Sequence, residues 1–151
     1  MSKAEQVILY VVSKLEGRVK IGRTRLMKLL YLIDLVAKHK LGRTVTGARY
    51  YYYLFGPFSD EVQQAVIDLT RQGLLEDDPE LTHMGQAHNY RTAENVDVNG
   101  VCEDISVEER ELIDEVVKKI GRRSLDYVVR TAYQTRPMKT AQPNSLLLAD
   151  D

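Results

Sequence analysis

The sequence predicts a mainly α, compact helical domain built around a buried second helix, with an extended aromatic segment beside it and a small winged-helix-like hairpin. Three observations carry this expectation. Leu26, Met27, Leu29, Leu30, Leu32, Ile33, Leu35 and Val36 cover most of one helix's circumference, and a helix apolar all round is a buried one. The run Tyr50-Tyr51-Tyr52-Tyr53-Leu54-Phe55 is aromatic on both alternating faces, which suits an extended strand. Capping signals recur along the chain: Ser2 with Glu5 and Ser106 with Glu109 have capping-box spacing, and Ser59 and Ser124 stand as single caps.

Taken in order, helix one opens at Ser2 and carries Ala4, Val7, Ile8, Val11, Val12 and Leu15 at a period near 3.6, with Gly17 as its stop. After a basic connection, Thr24 is placed to cap helix two, which runs to about His39 and ends at Gly42. Val45 to Phe55 reads as extended. Gly56-Pro57 breaks it, and Ser59 caps a third helix with Val62, Ala65, Val66 and Leu69 as its stripe. Leu74-Leu75, the acidic turn Glu76-Asp77-Asp78-Pro79 and Glu80-Leu81-Thr82 read as a small hairpin leading into a short helix from about His83 to Arg91. Asn99-Gly100 between Val98 and Val101 is a turn signal for a second small hairpin. Ser106 opens a helix ending at Gly121, and Ser124 opens one more that Pro137 ends. The expected organisation is a single domain over residues 1–137 and a C-terminal tail, 138–151, in which Leu146-Leu147-Leu148 is either a docked strap or an exposed peptide.

At 151 residues and 44% hydrophobic composition the chain can close one sizeable core. It has no uninterrupted apolar stretch of the roughly 20 residues that a membrane span requires, and Met1 to Gln6 lack the basic-then-apolar order of a secretory signal. A cytoplasmic protein without membrane association is expected. The single cysteine, Cys102, fits a reducing compartment and is a poor nucleophile, because its neighbours Glu103 and Asp104 disfavour a thiolate.

The net charge of -1 conceals segregation: residues 1–49 carry +8, residues 50–115 carry -13 and residues 116–151 carry +4. Either the segments fold together and neutralise one another, or a basic face recruits an acidic or nucleic-acid partner. The candidates for such a face are Arg18, Lys20, Arg23, Arg25 and Lys28, although Lys28 also reads as a lysine snorkelling at the edge of the core.

Catalytic patterns are missing from the sequence. His83 and His88 are five residues apart, about 140° around a helix, and so do not share a face for metal. Phosphate loops and a serine nucleophile elbow are likewise absent. The expectation is no catalytic residue, no cofactor and no metal.

The order of motifs resembles the Panacea antitoxin domain, the SocA-like family of toxin-antitoxin pairs, from helix one to about Pro137. Leu26-Met27-Lys28-Leu29-Leu30-Tyr31 looks like the family's helix-two signature, Gly56-Pro57-Phe58-Ser59 like its Gly-Pro corner, and Glu108 through Gly121 to Ser124, Leu125 and Tyr133 like its C-terminal helix pair. The chain departs from the pattern at Arg136-Pro137-Met138, where relatives often carry a tryptophan. The resemblance implies a non-enzymatic domain that neutralises a cognate toxin by direct binding, or that acts as a proteolytic adaptor.

The aromatic corner is the candidate partner-binding site: Tyr51, Tyr53, Phe55 and Phe58, with Gly56 and Pro57 fixing their geometry. Proline sets its own φ and glycine tolerates unusual angles, so the corner is stiff and loses little entropy on binding. The alternative is a winged-helix DNA-binding regulator. Against it, the third helix carries Asp60, Glu61 and Asp68 and the hairpin tip carries Glu76, Asp77 and Asp78, which repel phosphates. DNA binding is therefore expected to be weak and nonspecific. A homodimer is compatible with the sequence.

Overall fold

The structure, a computed structural model, describes residues 1–148. Helix α1 (Lys3–Leu15) begins at a full capping box, in which Ser2 Oγ accepts from Glu5 N–H while the Glu5 carboxylate accepts from Ser2 N–H. Helix α2 (Arg23–Leu41) lies at the centre, and its residues from Leu26 to Ile33 are all buried. Its N-cap is Gly22, not Thr24, with no side-chain capping bond, and its C-cap Gly42 closes it in the left-handed conformation. Packed on α2 are α5 (Val107–Val116), which continues as a π-helical turn (Val117–Gly121), and α6 (Leu125–Tyr133). The capping box Ser106–Glu109 and the Ser124 cap form as expected. Helix α1 packs against α3 (Asp60–Arg71), which Ser59 caps through Val62 N–H.

The aromatic segment is extended for less of its length than expected. Only Tyr51–Tyr53 forms a strand, β1, which pairs antiparallel with β2 (Gly56–Phe58) in the register Tyr51 with Phe58 and Tyr53 with Gly56. The reason lies upstream: Asp34, fully buried on α2, accepts from Val45 N–H at 2.7 Å, Thr46 N–H at 3.0 Å, the Thr46 hydroxyl and the Tyr50 hydroxyl. The carboxylate thus takes up backbone donors that a strand ladder would otherwise use. Burial pushes the Asp34 pKa upward against the opposing effect of these four bonds.

Two expectations in the acidic region are corrected. The segment from His83 to Arg91 is not helical. Instead β3 (Leu75–Asp77) pairs with β6 (Tyr90–Thr92), and β4 (Glu80–Thr82) pairs with β5 (Gly85–Ala87), so the hairpin is one long arm whose first strand returns to Tyr90 and not to Glu80. Gly85, at φ +108°, completes the turn at the tip. Second, Val98–Val101 is a short helix, α4, and not a hairpin turn, because the Asn99-Gly100 pair keeps negative φ, whereas the primed turns of a tight hairpin need it positive.

The tail is a docked strap. A short helix α7 (Arg136–Thr140) carries Pro137 in its first turn, so that proline opens a helix where the sequence suggested a stop, and it buries Met138. The chain then runs along β1: Tyr52 N–H donates to Ser145 O at 3.0 Å and Leu147 N–H to Tyr50 O at 2.7 Å, with Leu147 in the core. Of the expected tail, residues 149–151 lie outside the described residues.

The charge segments meet. Lys3 and Arg43 pair with Glu109, Lys20 with Glu80, Lys40 with Glu115 and Arg49 with Glu61. Each of these bridges joins the basic N-terminal third to the acidic middle, which supports mutual neutralisation. No helix among the described residues is long and apolar enough to cross a membrane.

Candidate partner-binding site

The β1–β2 hairpin is built from the core outward. Tyr50, fully buried, meets the Tyr31 ring edge-on at 5.6 Å and anchors the strand to α2, while the Tyr31 hydroxyl hydrogen-bonds Thr135 at 2.7 Å. Alternation then places Tyr51 and Tyr53 on the opposite side of β1 from Tyr50. They form a half-buried column with Phe58 from β2, with centroid separations of 5.8 Å and 5.5 Å.

Gly56 adopts φ +101°, and a Cβ there would lie 3.2 Å from the Tyr133 ring. Glycine is thus required both by backbone conformation and by the approach of α6. Because Gly56 takes the positive angle, Leu54 and Phe55 turn the hairpin with ordinary negative φ and point outward, 85% and 77% exposed. Gly56 and Pro57 themselves are buried. Of the six residues expected at this site, Tyr51, Tyr53, Phe55 and Phe58 therefore present surface, and Gly56 and Pro57 set its shape. Leu54, not among those six, is the most exposed residue of the hairpin.

The five basic candidates do not form one face. Arg18 is exposed, and Lys20 is exposed but paired with Glu80 at 2.7 Å. The Arg25 guanidinium is buried and donates to three backbone carbonyls, those of Lys20, Gly121 and Arg123. It ties the α1–α2 connection to the end of the π turn, and burial draws its pKa down. An Arg25→Ala variant would consequently report on folding and not on surface charge.

Lys28 does not snorkel. It is only 4% exposed, and its ammonium donates to Pro57 O at 3.2 Å. Burial pulls its pKa down from 10.5 to about 8. Arg23, held by the Tyr90 hydroxyl at 3.0 Å, lines the same groove as Lys28, Phe55 and Phe58. The fold thus joins two members of the basic set to two members of the aromatic set. Their separation in sequence concealed this, as did the contribution of Val62, Val66 and Ile67, which the helical stripe of α3 marked only as core.

Cys102 is buried and its thiol donates to Gln6 O at 3.2 Å. Burial pushes its pKa up while Arg110 opposes, so the poor nucleophilicity has burial as its main cause, with no need of the acidic neighbours.

No curated protein sequence matches the chain. The sequence profile of the family described as "Antitoxin SocA-like, Panacea domain" matches residues 26–137, from the start of the buried stretch of α2 through the Gly-Pro corner to the first turn of α7. A match over that share of the chain places the protein in the SocA-like antitoxin family, with a Panacea domain.

Proposed function

We propose that this chain is a protein-binding module without chemistry of its own, which neutralises a partner toxin by docking the β1–β2 hairpin against it. The observation that carries the reading is the hairpin tip: Leu54 and Phe55 lie open to solvent beside the stacked column of Tyr51, Tyr53 and Phe58. Large apolar rings held on a hairpin that is tied to the core lose little freedom on binding, which is the property of interface hot spots. Direct binding serves equally a blocking antitoxin and an adaptor that delivers the toxin for proteolysis.

The DNA-binding alternative has less support. The order of α3 followed by a hairpin exists, yet α3 exposes Asp60 and the arm carries Asp78 and Glu80 at its surface. These carboxylates oppose a phosphate backbone.

The test is co-purification with the product of the adjacent reading frame, followed by affinity and melting measurements on Tyr53→Ala and Phe55→Ala. The expected outcome for Phe55→Ala is a loss of about 2 kcal/mol or more in binding with an unchanged melting temperature. Folding that fails in both variants, or affinity that survives in both, would refute the hairpin interface.

A further inference from the structure

A groove of about 270 Å³ is lined by Met27 and Lys28 from α2, Val62 and Val66 from α3, and Phe55 and Phe58 of the hairpin. Its remaining polar lining is Arg23, Thr24 and Gln63, so among the described residues the groove holds two cations and no carboxylate. The other buried charged groups each hold several partners. Asp34 receives four hydrogen bonds, Arg25 donates to three carbonyls, and Glu109 faces Lys3 and Arg43.

Of these four, Lys28 holds the fewest partners among the described residues. Its ammonium carries three N–H donors and makes one bond, to Pro57 O, with no carboxylate in reach among the described residues. A buried cation without a counter-charge is costly, and an acid from outside would relieve that cost. We propose that the groove receives a glutamate side chain of the partner protein, flanked there by an apolar residue, with the glutamate carboxylate pairing to Lys28 Nζ and to the Arg23 guanidinium at the rim.

The chemistry selects this occupant. The largely apolar walls disfavour a hydrated phosphate, and the exposed carboxylate of Asp60 on the same α3 disfavours a nucleic-acid backbone. The recessed position of Lys28 requires a carboxylate carried on a methylene stem, which can lie against the Phe55 and Phe58 rings. Charge pairing inside such a groove adds orientation to the grip of the exposed tip, because a mispositioned partner leaves the ammonium unmatched. The proposal rests on the antitoxin-like binding reading and adds the chemical identity of the partner's anchor.

The experiment titrates the purified product of the adjacent reading frame into wild type, Lys28→Met and Phe55→Ala by isothermal calorimetry, with Glu→Gln substitutions scanned across the partner. Lys28→Met should weaken binding at least about 10-fold without lowering the melting temperature. One partner Glu→Gln should weaken binding to wild type and have no further effect on Lys28→Met. The partner-side scan reads the same pairing in the wild-type protein, and so holds whether or not Lys28→Met folds. Unchanged affinity in Lys28→Met together with a loss in Phe55→Ala overturns the glutamate site and leaves the hairpin reading standing. A loss in Lys28→Met that couples to removal of the partner's C-terminal residue, or to no glutamate at all, also overturns it. Absence of binding to wild type overturns both readings.

Discussion

Replacing Lys28 by Met tests the cost of the buried ammonium in the protein alone. The folded-state pKa of about 8 against the ordinary 10.5 corresponds to a penalty of about 3 kcal/mol at neutral pH, at 1.36 kcal/mol per unit. Methionine has a similar length and no charge, so the variant escapes that penalty, but it leaves Pro57 O without its donor, a loss of about 1 kcal/mol. The net expectation is that Lys28→Met is more stable than wild type by about 1 to 2 kcal/mol at pH 7.

The pH dependence carries the sign of the effect. Below pH 8 both folded and unfolded wild type hold the proton, and the penalty is fully present. Between about 8 and 10.5 the unfolded lysine stays protonated while the folded one releases its proton, so the stability contributed by this group rises with pH. The advantage of Lys28→Met should therefore shrink across this window and reverse near pH 10, where the variant still lacks the Pro57 hydrogen bond. Urea melts of both proteins at pH 7, 8.5 and 10 measure it, with other titrating groups cancelling in the difference. A variant less stable than wild type by more than about 1 kcal/mol at pH 7, or a difference that stays flat with pH, would refute the buried-cation argument.

Leu30→Ala should destabilise by about 2 to 5 kcal/mol in denaturant melts, the cost of emptying a packed site, since Leu30 is fully buried on α2; a loss under about 1 kcal/mol would contradict its place in the core. Gly56→Ala should lower stability by about 1 to 3 kcal/mol, because alanine strains at φ +101° and its methyl meets the Tyr133 ring. A melting temperature equal to wild type would show that the hairpin tolerates a side chain there. Arg25→Ala should cost about 2 to 3 kcal/mol by leaving three carbonyls without their donor, while Arg18→Ala stays within about 0.5 kcal/mol. Equal effects from the two would mean that Arg25 is not structural.

The starts of α1, α3, α5 and α6 were legible in the sequence because a cap is a short-range contract: Ser2 meets Glu5, Ser59 meets Val62, Ser106 meets Glu109 and Ser124 meets Tyr127, each three residues on. The buried character of α2 was legible for a similar reason, since apolarity on every face leaves solvent no side to occupy. The family resemblance rests on the same short motifs, and so does the stiff aromatic corner.

What only the tertiary structure decided is which distant groups meet. The two hairpins turn on Gly56 and Gly85, each at positive φ after two ordinary residues, and the sequence signal sought at 98–101 was the tighter Asn-Gly turn. The acidic arm exposes Leu81 and Met84, so its sequence shows neither a strand's alternation nor a helix's stripe, and the strands at 85–87 and 90–92 have no local signature. Five cations looked alike in sequence. Folding buries Arg25 among carbonyls, pairs Lys20 with Glu80, leaves Arg18 in solvent and sets Lys28 with Arg23 in an aromatic groove. Local sequence determines helix ends and burial because those depend on neighbours within a turn. The fate of a charge depends on what the rest of the chain brings to it, and for Lys28 that is a carbonyl 29 residues away and, among the described residues, no carboxylate.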